Sequence, residues 1–406
     1  MKSSISGPGR IRQINRKAVL LHIRHSGKNS RSKIGKELGL SPAAMTSVVN
    51  ELIEEGLLIK SNDTNIDILT NKQEENKTVA KRKPQGRPIS FLELNPHAAC
   101  AYGILLLPLG NICHIEAAWA DYTGEIHTIK NTIEVESHQL ASIIDGIKQT
   151  LLVLENNSSQ NKQSQAQGLT IGIPGVVEND NIPIAPKLAC IEGIEFMSTL
   201  RNSLPYPVSF ENDVNLGAMS ELKQQPRLRN LNFAYLHVYS GVGSSIVIKG
   251  QILGGSRGWA GEIGQLGIKH SKTIRPSFEQ LLSVDGTLAD LLESFNHPRD
   301  ALDKLVPYID QKNKTVLKET EKYSHLLFDA INVLHSVLDL DEIMIDFPST
   351  KLFKKLLPKI EQLIDEMPHK LIISTPTIEH QADLHGAALN ALNLALENIE
   401  QRQSRN

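Results

Sequence analysis

One plan of strands occurs twice along this chain, and any fold must accommodate both copies. From residue 98 onward, CAYGILLL, NICHIEAAWA and GEIHTIK read as three short strands in a meander. An amphipathic helix is expected over residues 134–154, followed by the buried strand GLTIGIPG. LNFAYLHVYS, GSSIVIKG and QILGG then repeat the three-strand plan. Strands alternating with helical stretches predict an α/β protein. Two similar halves that face each other leave a cleft, a usual place for a small ligand. Between the halves, the polar SSQNKQSQAQ (158–167) is expected to be an exposed loop.

Charge divides the chain differently. Residues 1–90 hold 17 Lys+Arg against 8 Asp+Glu, net +9, and the remainder holds 26 against 37, net −11. A basic segment attracts a polyanion, and an acidic remainder stays off it. Three helices are expected in the first sixty residues. Ile11, Ile14, Ala18 and Leu21 mark the inward face of the first; Ser30 caps the second, with Ile34 and Leu38 inward and Gly39 as its left-handed stop. In SPAAMTSVVNELIEEGLLIK, Ser41 is the cap and Pro42 takes the first helical position. Met45, Val48, Val49 and Leu52 then recur at helical spacing.

The opposite face of that third helix presents Ala43, Ala44, Thr46, Ser47 and Asn50. Small residues allow close approach to base edges, amides and hydroxyls read them, and neighbouring cations hold phosphates. This face, with Ser41, predicts a recognition helix for the DNA major groove, within a winged helix-turn-helix over residues 11–62. Residues 63–92 read as wing and linker, with Lys81, Arg82 and Lys83 ahead of Gly86-Arg87-Pro88. Arg87 either enters a narrow A·T minor groove or belongs to a plain solvated spacer.

Other classes are disfavoured. No 18-residue apolar run and no apolar signal core are present, which predicts a cytoplasmic protein. Cys100, Cys113 and Cys190 form no CxxC pair and are expected to be small core residues. The 14 histidines contain no HxxxH or HExxH spacing.

Two segments carry candidate chemistry. SFENDVNLGAMSE (209–221) runs from strand into helix and sets Glu211, Asn212 and Asp213 at the junction. Asp213 is either a proton or hydroxyl acceptor, kept ionised by the helix N-terminus, or a simple cap. GWAGEIGQLGIKH (258–270) sets Glu262 and Gln265 among glycines after GGSRG.

Together, ENDVNLGAMSE, GVGSSIVIKGQILGGSRGWAGEIGQ and IPGVVEND, behind the basic N-terminal segment, resemble the ROK family of repressors, open reading frames and kinases. The resemblance extends from about Ile11 to QADLHGAALNAL. It implies a two-lobed, actin-like sugar-kinase domain of ribonuclease-H type over residues 93–406. The lobes would be about 93–208 with the C-terminal helix, and 209–385. It also implies sugar contacts from Asn212, Asp213, Glu262 and Glu279, the last placed before a helix. In the kinase members the aspartate matched by Asp213 takes the proton of the reacting hydroxyl. Gln265 stands where the family has a zinc-binding histidine, and HSKTIRPSFEQLLS holds no cysteine. A sugar-binding amide and no metal are therefore expected.

Phosphoryl transfer requires nucleotide phosphates held by glycine-rich loops and a metal. The resemblance puts the first loop in YGILLLPLGN, where Leu106, Leu107, Pro108 and Leu109 are expected to fill the phosphate space. The second survives in part as Ser240 to Gly243, and Phe347 and Pro348 replace the adenosine-side glycines. The expectation is a protein without enzymatic activity or cofactor: a sugar-responsive repressor, homodimeric or homotetrameric, released from operator DNA by a sugar or sugar phosphate. The alternatives are an active hexose kinase with a DNA-binding domain, and a repressor controlled by a partner protein.

Overall fold

The computed structural model describes residues 8–61, 90–161, 163–267, 276–298, 301–378 and 380–403. It divides into two compact units: residues 1–99 with 121–125 and 162–164, and the remainder.

The first unit contains α1 (Pro8–Ser26), β1 (Asn29–Ser30), α2 (Arg31–Glu37), α3 (Pro42–Glu54), β2 (Leu58–Ser61) and β3 (Phe91–Leu94). The strands form an antiparallel sheet in the order β1-β3-β2. The 92/93 boundary therefore needs correction, since β3, the central strand of this sheet, straddles residue 92. The Ser30 hydroxyl accepts from the Lys33 N–H to cap α2, and the Ser41 hydroxyl accepts from the Ala44 N–H at 3.2 Å to cap α3. Met45, Val48, Val49 and Leu52 are all buried, as their spacing predicts. Ile34 is buried, Leu38 half-buried, and Gly39 has φ +66.

Helix α1 turns a different face inward from the one expected. Ile11, Ile14 and Leu21 are exposed, whereas Val19 and Ile23 are buried. That face combines two buried apolar side chains with ion pairs to α3. Arg12 and Arg16 share the face of Val19 and Ile23, and they meet α3 through Glu51 (2.9 Å from Arg12 Nε) and Glu55 (2.8 Å from Arg16 Nη1).

In the second unit the chain forms β4 (Cys100–Leu109), β5 (Ile112–Asp121), β6 (Ile126–Thr128), β7 (Ile133–Glu136), α4 (Leu140–Gln160), β8 (Ala166–Ile173), the hairpin β9 (Val176–Glu178) and β10 (Asn181–Ile184), α5 (Glu195–Ser203) and β11 (Val208–Asn212). There follow α6 (Asp213–Gln224), β12 (Asn232–Val238), β13 (Val242–Ile248), β14 (Gln251–Ile252), α7 (Phe278–Leu282), α8 (Thr287–Ser294), α9 (Leu305–Asp310) and α10 (Lys314–Leu338). β15 (Glu342–Asp346), α11 (Thr350–Asp365), β16 (Ile372–Ser374) and α12 (Ala382–Gln403) complete it.

The two sheets have one topology. The first runs β11-β8-β4-β5-β6, with β7 also on β5; the second runs β14-β13-β12-β15-β16. Each places a three-strand meander beside two further strands that add in parallel, β8 and β11 in one, β15 and β16 in the other. The duplication inferred from the repeated strand plan is thus present, in a mixed α/β fold.

Each sheet is covered on both faces. On the first, Ile143, Ile147 and Leu154 of α4 pack with Ile104 and Ile171, while Ala387, Ala388 and Ala391 of α12 pack with Ala101 and Leu105 on the other side. Alanines let α12 lie close: a Cβ on Gly103 would strike the backbone of Ala387 and Ala388. On the second sheet, Leu236, Ile343 and Ile345 meet Leu327 and Ile331 of α10, and Tyr235, Val247 and Met344 meet Val214 and Ala218 of α6.

Three boundaries differ from expectation. The helix expected from 134 begins at 140, because the alternating residues 133–136 pair with β5 instead. The expected loop 158–167 is largely the end of α4 and the start of β8. A lobe boundary at 208/209 would cut β11, which belongs to the first sheet. Among the described residues, no helix is long and apolar enough to cross a membrane.

Candidate functional site

β11 and α6 place the first pair of candidate residues. Asn212 has extended backbone and caps α6: its Oδ1 accepts from the Asn215 N–H at 3.0 Å, and its Nδ2 donates to the Gly175 carbonyl at 3.0 Å. Those two bonds fix the side chain. Asp213 opens the helix, and its Oδ1 accepts from the Val214 N–H at 2.9 Å. Burial raises the Asp213 pKa, against the opposing pull of His237. Desolvation thus opposes the helix N-terminus, which favours the ionised form.

The glycine-rich loop after β14 places Glu262. Gly261 has φ +93, and its carbonyl accepts from both the N–H and the hydroxyl of Ser244, at 2.9 and 2.8 Å. A Cβ at this position would drive into the Ser244 carbonyl oxygen, so only glycine holds the loop against β13. The Glu262 pKa is raised by burial and by the neighbouring Asp213 and Glu279 charges. Gln265 lies within reach, its Nε2 at 3.4 Å from Glu262 Oε2.

An antiparallel bridge between Gly267 and Ser277 joins this loop to α7. Ser277 caps α7 in a capping box with Gln280, which puts Glu279 in the first turn. Glu279 thus lies within the helix rather than before it.

These segments converge on one open cavity of about 680 Å³, lined by all five residues assigned to sugar: Asn212, Asp213, Glu262, Gln265 and Glu279. Gly175, Lys187, His237 and the turn Ser240 to Gly243 line it too. The expectation that leucines fill a phosphate space is corrected. Leu106 and Leu107 pack into the layers on either side of the first sheet and Leu109 is exposed, so of that run only Pro108 borders the cavity. β4 continues as a strand through Leu109, leaving no loop there. Phe347 is buried in the second sheet's core, and Pro348 borders a separate apolar space with Val238 and Tyr323.

Sequence reasoning missed Lys187 and His237. The Lys187 ammonium donates to the Ser240 carbonyl and lies 3.4 Å from Asp285. His237 had a legible signal, the alternation Tyr235-His237-Tyr239 at the end of β12 and just beyond it. Cys100 and Cys113 are buried and Cys190 half-buried, all three unbridged. GGSRG at 254–258 has the spelling of a serine nucleophile elbow, but Ser256 is exposed in a turn after β14 and enters no helix.

On α3, Ala43, Thr46, Ser47 and Asn50 are exposed and Ala44 half-buried. Ser47 donates to Glu51 at 2.8 Å, and Arg31 donates to Asn50 Oδ1 at 3.3 Å. Arg87 lies outside the described residues, as do Lys81 to Lys83.

Residues 113–284 match the ROK family model. A xylose repressor of Caldicellulosiruptor bescii is 25% identical over 270 residues, 65% of this chain and 61% of the relative, less than two thirds of that protein's length. Among solved structures, a ROK family transcriptional regulator homologous to the E. coli MLC protein superposes with TM-score 0.72 at 20% identity, covering 96% of this chain and 98% of its own. A ROK family glucokinase from Streptomyces griseus, solved with glucose and AMPPNP, superposes with TM-score 0.58 at 16% identity, covering 73% of this chain and 100% of its own. Both similarities show a shared fold, mixed α/β as in these ROK proteins.

Proposed function

We propose that this protein is a cytoplasmic sugar-responsive transcriptional repressor. The observation that carries the reading is the convergence of Asn212, Asp213, Glu262, Gln265 and Glu279 on one sugar-sized cavity, in a chain whose relative is a xylose repressor. The first unit, residues 8–61 with β3, would act as a winged helix-turn-helix. Its α3 presents Ala43, Ala44, Thr46, Ser47 and Asn50 to the major groove, with Ser41 at the helix end facing a backbone phosphate. Arg87 would add a minor-groove contact.

The cavity suits an uncharged sugar better than a phosphate ester. Three carboxylates line it, Asp213, Glu262 and Glu279, whereas the Lys187 ammonium is already engaged with Ser240 and Asp285. Carboxyls raised by burial, as at Asp213 and Glu262, can donate to hydroxyls when protonated and accept from them when ionised.

Phosphoryl transfer is not part of this reading, although Asp213 occupies the position of a base. A base without a held γ-phosphate has nothing to transfer, and β4 offers a continuous strand in place of a phosphate loop. Binding of the sugar would shift the balance between two lobe arrangements of a homodimer or homotetramer, only one of which holds DNA. Taking that balance from 99:1 to 1:99 requires about 5.5 kcal/mol of differential affinity.

The experiment is a thermal-shift screen of monosaccharides and their phosphates, with sugar-dependent ATP turnover measured in parallel. A ligand specific to the folded state, at a hundred times its Kd, adds about 2.7 kcal/mol of stability. Stabilisation by an unphosphorylated sugar with no ATP consumed is the expected result. Sugar-dependent ATP consumption would restore the kinase reading.

A further inference from the structure

Two polar side chains of β12, Tyr235 and His237, lie on one face of the strand, and Tyr239, just past its end, continues the alternation. Tyr235, His237 and Tyr239 alternate, and all three reach one acceptor, Asp346 on the neighbouring parallel strand β15. His237 and Asp346 are direct register partners. The Tyr235 hydroxyl donates to Asp346 Oδ2 at 2.8 Å, the His237 Nδ1 lies 3.2 Å from the same oxygen, and the Tyr239 hydroxyl donates to Oδ1 at 3.1 Å. Tyr239 also stacks on His237, with ring centroids 4.4 Å apart and 14° between planes, and is 2.7 Å from His380 Nδ1.

This arrangement fixes the imidazole in position and in tautomer. A carboxylate accepting from two tyrosines stays ionised, so Nδ1 must carry a proton to meet it. The ring's other nitrogen, Nε2, then remains. Among the described residues it makes no protein hydrogen bond, while the ring lines the cavity with Asp213. A histidine serving packing alone has no need of a carboxylate with two supporting tyrosines, and this ring borders a cavity of about 680 Å³.

We propose that His237 is a sugar-binding residue oriented by Asp346, its Nε2 meeting a ligand hydroxyl beside Asp213. This assignment deepens, and rests on, the sugar-binding reading of the cavity. The charged ring donates through Nε2, and charge-assisted bonds are the stronger ones. The groups facing it are Asp346 from β15, Asp213 at the start of α6, Asp383 at the start of α12 and, through Tyr239, His380. Burial lowers the His237 pKa, but Asp346, Asp213 and Asp383 outweigh it and the net shift is upward. Affinity therefore falls as pH rises through the His237 titration, and Asp346→Asn moves that midpoint to lower pH.

The test uses the full chain with D-xylose, D-glucose and N-acetyl-D-glucosamine as probes. For the probe that binds best, His237→Ala should lose at least tenfold in affinity and His237→Gln, which retains an amide, should lose less. In Asp346→Asn the pH midpoint of binding should fall, a change that loss of packing alone does not produce. The imidazole 15N resonances of the wild type give a reading that needs no variant: the Nε2 resonance of His237 should move on saturation with the sugar. Wild-type binding with His237→Ala within twofold of it, or an unmoved Nε2 resonance at saturation, overturns the assignment alone. A wild type that binds none of the three sugars removes the sugar reading and the assignment with it.

Discussion

At the scale of single residues, the cavity depends on carboxyls whose burial has a cost. Asp213 and Glu262 both sit above the ordinary carboxylate range because of desolvation. Their retention in a cavity wall fits groups kept to meet a ligand, a probabilistic rule for buried titratable residues. Asp213→Ala and Glu262→Ala should each weaken the response to sugar by roughly ten- to a hundredfold, since a lost partner for a buried hydroxyl costs about 1 to 3 kcal/mol. Operator binding should persist, giving constant repression. Sugar-release titrations on the two variants check this, and normal release would take both residues out of the site. Four of the five cavity residues were legible in the sequence because the segments bearing them, END and AGEIGQ, are short and contiguous, and Glu279 followed from the resemblance of the segment before α7. The His237 network was not, because Asp346 lies 109 residues away and only the parallel pairing of β12 with β15 joins them.

At the scale of elements, caps and pattern decided which predictions matched. α3 was legible because cap, proline and apolar spacing agree. α1 was misread because an apolar stripe was preferred to the face on which Arg12 and Arg16 pair with the acids of α3. Ser41→Ala should cost about 1 kcal/mol through loss of the α3 cap, and Leu52→Ala about 2 to 5 kcal/mol through a core cavity; chemical denaturation measures both. Asn50→Ala should relax base choice within the half-site rather than weaken binding to all sequences alike. α12 supplies a pH test. Asp383, half-buried at its start, is pushed up to about 7 by desolvation. The folded state therefore holds a proton that the unfolded state releases near pH 4, and this site's contribution falls as pH rises from about 4 to 7. Asp383→Asn lacks that slope, so its stability relative to wild type should grow between pH 5 and pH 8, by at most about 3 kcal/mol. A constant difference across that range would show that Asp383 titrates normally.

At the scale of the whole molecule, the charge division and the duplicated α/β unit assign the two tasks to different parts of the chain. The +9 segment should make operator binding steeply dependent on salt. A pair of recognition helices should read an inverted repeat with half-sites about 34 Å apart or a multiple of it. Footprinting that found a single half-site would contradict the paired arrangement. Purified protein should carry no stoichiometric zinc, since Gln265 takes the histidine's place and no cysteine lies between Glu262 and Glu279; elemental analysis decides. The most direct measurement of the central claim is fluorescence anisotropy of a labelled operator duplex with the wild-type protein, titrated with unphosphorylated monosaccharides in the absence of ATP. Release of the duplex by one such sugar, at concentrations that also raise the melting temperature, is the predicted result. Operator binding that no sugar alters, or release that occurs only when ATP is consumed, would contradict it.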